Sequence, residues 1–148
     1  MKKPLIVMTA YLLMSAPALS DPKADMCELT SILASEGVAA AMKYTEGLAS
    51  HWPADQRAKL GVVVGAELER FAFSGGQVYQ TAELPGAVEE YFITLNVQGN
   101  GSVYLRVLYD GSGGPLNFIN IDFKASYYDA IQRPFLQQPK PVPCSSKG

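Results

Sequence analysis

Residues 88–110 read VEEYFITLNVQGNGSVYLRVLYD, and the alternation in this stretch decides the fold. Tyr91, Ile93, Leu95 and Val97 share one parity, and Val103, Leu105, Val107 and Tyr109 share one beyond Gly99-Asn100-Gly101. Apolar residues at every second position mark strands with one buried face, and a Gly-Asn-Gly break between them is hairpin chemistry. A two-residue turn would set Leu95 beside Arg106 and spoil both faces. A three-residue loop, Gly99-Asn100-Gly101, pairs Leu95 with Leu105 and Ile93 with Val107, and burial selects it because a one-residue slip turns every side chain over.

The same period of two extends outward on both sides. Four runs result: Gln77–Leu84, Val88–Gln98, Ser102–Asp110 and Leu116–Lys124, separated by Pro85-Gly86, Gly99-Asn100-Gly101 and Gly111-Ser112-Gly113-Gly114-Pro115. Ile119, Ile121 and Phe123 join the buried face if the last loop is also odd in length. Upstream the period changes to that of helices. Met26, Leu29, Ile32 and Leu33 fall on one face of Lys23–Ser35, with Asp25 and Glu28 in the first turn, where the helix dipole favours acids. Val38, Ala41, Thr45 and Leu48 suggest a second helix, ended by Ser50-His51-Trp52-Pro53. Leu60, Val63, Val64, Leu68 and Phe71 mark the inward face of a third, which Ser74-Gly75-Gly76 closes. Helices first and a meander after predict an α+β fold: N-terminal helices packed on one face of a curved, roughly four-stranded antiparallel sheet.

The ends bound the compartment. Lys2 and Lys3, the apolar run Leu5–Met14 and the small residues Ala18 and Ser20 read as an export signal over residues 1–20, cleaved near Ser20. The alternative is a buried N-terminal helix. The run is too short to span a bilayer, and Cys27 lies too far from the cleavage region for a lipid anchor. Residues 21–132 then form one α+β domain, followed by an extended proline-rich tail, 133–148. Periplasmic or secreted localisation follows. Without Lys2 and Lys3, ten basic residues against fourteen acidic ones leave a net charge of −4, which gives no electrostatic footprint for nucleic acid or anionic lipid. In an exported chain the two cysteines, Cys27 and Cys144, are expected to form a disulfide that pins the tail to the first helix; the alternative is a free thiol pair. Two cysteines and one histidine, scattered, make a poor metal set, and no cofactor is indicated.

Leu84-Pro85-Gly86, Glu90-Tyr91-Phe92-Ile93-Thr94-Leu95, Val107-Leu108-Tyr109-Asp110-Gly111 and Leu116-Asn117-Phe118-Ile119-Asn120-Ile121, in this order, resemble the late strands of the nuclear-transport-factor-2-like superfamily, in particular its small exported bacterial branch. The resemblance spans about Leu60 to Lys124. It departs from that pattern in having no tryptophan in the last strand, since the single tryptophan is Trp52. It implies a cone-shaped, often dimeric α+β fold able to enclose a pocket, here lined by Tyr91, Ile93, Leu95, Tyr109 and Phe71, and it implies no particular activity.

No catalytic motif is legible. His51, the only histidine, sits beside Trp52 in a connection and reads as a surface or packing residue. There is no Gly-x-Ser-x-Gly elbow, and Gly111–Gly114 lacks the lysine and helix of a phosphate cradle. Asp122 points away from the buried face, and Asp110 ends a strand beside a glycine turn. Asn100-Gly101-Ser102 is a glycosylation acceptor only in a eukaryotic source. The leading expectation is therefore a non-catalytic binding or accessory domain that engages a protein partner, or a second copy as a homodimer, through the outer sheet face. Parity places Phe92, Tyr104, Arg106, Leu108 and Phe118 there, a composition typical of interface centres. The alternative for that face is that the segment around Tyr127, Tyr128 and Phe135 folds back over it. Competing functions are a small-ligand pocket protein or enzyme holding a small hydrophobic molecule, and a periplasmic immunity or inhibitor protein. A deep pocket with an inward acid favours the ligand reading, and a filled core favours the partner reading.

Overall fold

The computed structural model describes residues 21–99, 101–110 and 134–144, and the backbone of 116–122. Helix α1 spans Pro22–Ser35, with Asp21 as N-cap: its side chain accepts from the Ala24 N–H at 3.3 Å. The N–H groups of Glu36 and Gly37 both return to the Ile32 carbonyl, and Gly37 takes φ +89°, so the chain turns sharply into α2, Val38–Leu48. Pro53 then opens α3, Ala54–Lys59, which runs through a π-helical segment, Leu60–Gly65, into α4, Ala66–Leu68.

That π segment corrects the expected inward face. Leu60 and Leu68 are buried and Val64 is half-buried, but Val63 is exposed, as is Val62. A wider turn aligns residues four apart, 60, 64 and 68, and rotates Val63 out to solvent. Two glycines let the segment lie close on α2. A methyl group at Gly61 would meet Glu46 Oε1 at 2.9 Å, and one at Gly65 would meet Met42 Cγ at 3.2 Å.

The sheet is antiparallel in the order β4-β3-β2-β1-β5, with β1 Phe73–Leu84, β2 Val88–Val97, β3 Ser102–Asp110, β4 Leu116–Asp122 and β5 Lys140–Pro141. The α+β class and the four-strand meander with helices N-terminal to it are as the alternation predicts. The two-residue fifth strand comes from the proline-rich tail and lies against β1. The core forms where α1 and α2 cover the sheet, with Met26, Leu29, Leu33 and Ala41 against Val78, Ile93, Leu95, Val103, Leu105 and Val107, all at most 2% exposed. Fully burying aliphatic side chains of this kind stabilises by about 1.5 to 3 kcal/mol each.

The β2–β3 register differs from the expected one by two residues. Ile93 pairs with Leu105 and Leu95 with Val103, not Leu95 with Leu105. The Val97 N–H donates to the Gly101 carbonyl at 3.1 Å, so the ladder closes at Val97 and Gly101. The Gln98 N–H is drawn instead to the Ala72 carbonyl at 2.8 Å, and Gly99 and Gly101 take φ +97° and +117°. A shift of two preserves the face of every side chain, which is why burial alone could not distinguish the registers. On the other side of β3, Val107 pairs with Ile119 and Leu105 with Ile121, with a bulge between Leu108 and Tyr109. Phe123 lies outside the described residues.

Candidate functional site

Tyr91, Ile93 and Leu95 expose none of their surface and Tyr109 exposes 1%. A side chain with no surface accessible to a water-sized sphere lines no void large enough for water. These four residues, expected around a pocket, are core, and Phe71 packs half-buried against the same cluster. Tyr91 and Tyr109 meet edge to face at 6.1 Å between centroids.

Their hydroxyls reach carboxylates at the end of the sheet. Tyr109 donates to Asp25 Oδ2 at 3.3 Å, Tyr44 donates to Asp25 Oδ1 at 3.2 Å, and Tyr91 donates to Glu89 Oε2 at 2.7 Å. Burial, reinforced by these neighbouring carboxylates, pushes all three phenols well above the usual tyrosine range. At neutral pH they are fixed proton donors rather than nucleophiles or bases. Asp25, read from the sequence as a first-turn dipole residue, is thus the acid that joins α1, α2 and β3. An open groove of about 950 Å³ beside α1 is lined by Asp25, Tyr44, Gly76, Cys27 and Cys144, among others, and by none of the expected pocket residues.

The outer sheet face carries a second polar arrangement. Arg106 Nε donates to Glu90 Oε1 at 2.6 Å, and Thr81 Oγ1 donates to Glu90 Oε2 at 2.8 Å. Glu90 is buried, and the Arg106 side chain is only 13% exposed. In the ladder Arg106 stands opposite Phe92 and diagonal to Glu90, within reach of a long side chain. Tyr104 stacks on Phe92 at 5.7 Å and 18°. The open face expected at Phe92 is occupied: Phe135 of the tail meets its ring edge-on at 5.2 Å and lies 5.7 Å from the Arg106 guanidinium carbon, so Phe92 is buried. Tyr104 and Leu108 are half-buried. The β4 backbone sets Phe118 opposite Leu108. Tyr127 and Tyr128 lie outside the described residues.

Phe135 is held there by the rest of the tail. The Gln137 N–H donates to the Thr81 carbonyl at 3.1 Å, and the Gln137 side-chain amide accepts from the Glu83 N–H at 3.0 Å and donates to the Glu83 carbonyl at 3.3 Å. Beyond β5, the Val142 N–H donates to the Val78 carbonyl at 2.9 Å, and the Val142 side chain is buried in the core. Cys144 then closes the expected disulfide with Cys27 of α1, with Cα atoms 5.4 Å apart.

The remaining candidates stand apart. His51 is exposed, edge-on to Trp52 at 6.4 Å. Asp110 ends β3 opposite Val88, and Asp122 pairs with Tyr104 in the ladder. Among the described residues no group of three or more His, Cys, Asp or Glu is placed to hold a metal ion, and no helix is long and apolar enough to cross a membrane. Comparison with protein-family models, with curated proteins and with solved structures finds no match to this chain.

Proposed function

We propose that this chain works outside the cytoplasm, after removal of residues 1–20, as a non-catalytic binding domain that engages a protein partner through the outer face of its sheet. The observation that supports this reading is the filled inner face. With Tyr91, Ile93, Leu95 and Tyr109 at 0–1% exposure, the helices and sheet leave no ligand chamber between these residues. The half-buried Tyr104 and Leu108, flanking the Arg106–Glu90 pair, are the aromatic and aliphatic anchors of that surface. The disulfide supports an oxidising compartment. We keep the nuclear-transport-factor-2-like architecture as our proposal for the fold, on the order of helices before a meander, with the cone filled rather than hollow.

The test is co-purification from the native compartment with the full chain, beside a Tyr104→Ser, Leu108→Ser variant. Loss of two anchors weakens capture of the same partner about tenfold or more, while the melting temperature stays near that of the parent. Equal capture by a variant that folds normally removes this surface from consideration.

A further inference from the structure

We infer that the tail site on the β1 edge is a receptor for an extended segment, and that its second occupant is the tail of another copy of this chain. The inference rests on the binding-domain reading and names how two copies meet. The site has three parts, all recognising an extended chain. Phe92 and Arg106 form a shelf for one aromatic ring, Phe135. The backbone of Glu83 is read by the Gln137 amide, which donates and accepts as a neighbouring strand would. Val78 and Thr81 offer carbonyls to the N–H groups of Val142 and Gln137. Such a line of backbone groups on a sheet edge takes any strand of the right chemistry, and among the described residues this tail satisfies it.

Every tail contact just named falls on residues between Cys27 and Arg106, upstream of β4. Exchange between two copies therefore remakes each contact in trans, without a new interface. The disulfide decides between the two arrangements. Cys144 is exposed, and both cysteines line the open groove beside α1, so a dithiol has access to the bond. Thiol–disulfide exchange transfers two electrons and two protons to Cys27 and Cys144, and the reductant closes to its own disulfide. Among the described residues, the hydrogen bonds, the Phe135 ring and Val142 then hold the strap. Oxidised, it is closed in cis; reduced, it is open to exchange.

Two single-cysteine forms of the full chain test this. Cys27→Ser keeps the tail thiol, and Cys144→Ser keeps the body thiol. Mixed in a glutathione redox buffer, they are expected to give the crossed Cys144–Cys27 heterodimer at about ten times the yield of either homodimer. Phe135→Ala with Gln137→Ala in the tail donor should cut that yield about tenfold. Homodimers in equal amount, or a yield indifferent to the tail substitutions, would overturn the proposal. If either form fails to fold, the parent chain and a fluorescent peptide of residues 134–142 replace it. Dithiol-reduced chain binding the peptide at least tenfold more tightly than oxidised chain supports the site, and equal or absent binding refutes it. Partner capture through Tyr104 and Leu108 is measured on the oxidised chain with its strap closed, so the two readings fail separately.

Discussion

Replacing Arg106 with leucine removes half of an ion pair that the outer face holds out of water. The two side chains expose 13% and 6% of their area and meet at 2.6 Å. At an effective dielectric constant of 20, opposite charges at that separation attract by about 6 kcal/mol, and desolvation of both groups takes most of it back. Removing one partner forfeits the attraction while the other charge stays buried, so the expected loss is about 3 to 5 kcal/mol. Leucine keeps apolar contact with Phe135, so lost charge rather than lost packing dominates. The double variant, Glu90→Leu with Arg106→Leu, strands no charge, and Thr81 Oγ1 still has the residue-90 carbonyl at 3.3 Å as acceptor. It should lie within about 2 kcal/mol of the parent. Urea unfolding of parent, both single variants and the double variant completes the cycle. A single-variant loss below about 1 kcal/mol, or a double variant as unstable as the summed singles, would refute the view of this pair as a buried, mutually dependent unit.

Alkaline titration offers a second check. Tyr44, Tyr91 and Tyr109 have folded-state pKa values above the unfolded one, so the folded chain holds protons that the unfolded chain releases. Their contribution is complete below about pH 10 and is lost as pH rises further; the phenolate absorbance of these three should appear only with unfolding. Reducing the Cys27–Cys144 bond, whose cysteines are separated by 117 positions, should lower stability by about 4 to 5 kcal/mol on the chain-entropy account, seen as a fall in the urea midpoint. Gly76→Ala should cost about 1 to 3 kcal/mol, because its methyl would lie 2.5 Å from the Thr94 carbonyl oxygen and 3.0 Å from Thr30 Cγ2. Gly47→Ala, in α2 with nothing within 4 Å, should stabilise by about 0.5 to 1 kcal/mol, and thermal melts of the two variants separate the effects.

The alternation of Tyr91 to Val97 against Val103 to Tyr109 was enough to assign the class and both sheet faces, because burial writes a period of two directly into the residues. It could not assign the pairing partner, since registers two apart bury the same side chains; Gln98 settles that through a backbone bond to Ala72, which has no sequence signature. Val63 escapes the pattern for a related reason, since a π turn changes the period and leaves the residue types unchanged. Asp25 looked like an ordinary first-turn acid because its partners, Tyr44 and Tyr109, lie 19 and 84 residues away. Glu90 was legible in principle: it shares the parity of Phe92 and stands diagonal to Arg106 once the strands are paired. The Phe135 ring that lies against Arg106 comes from far down the chain, and no local pattern reports it.

The joining of Cys27 to Cys144 also makes oxidation a late and unambiguous step in maturation. With only two cysteines in the chain, a single intramolecular bond is possible, so an oxidant suffices and no isomerase is required to correct mispairing. The first sulfur sits on α1 and the second follows the tail after it has laid Val142 into the core and Gln137 along β1. The native path brings their Cα atoms to 5.4 Å, within bonding reach. Thiol disappearance during refolding should therefore track completion of the native structure, making the cysteines an internal clock for the last event in assembly.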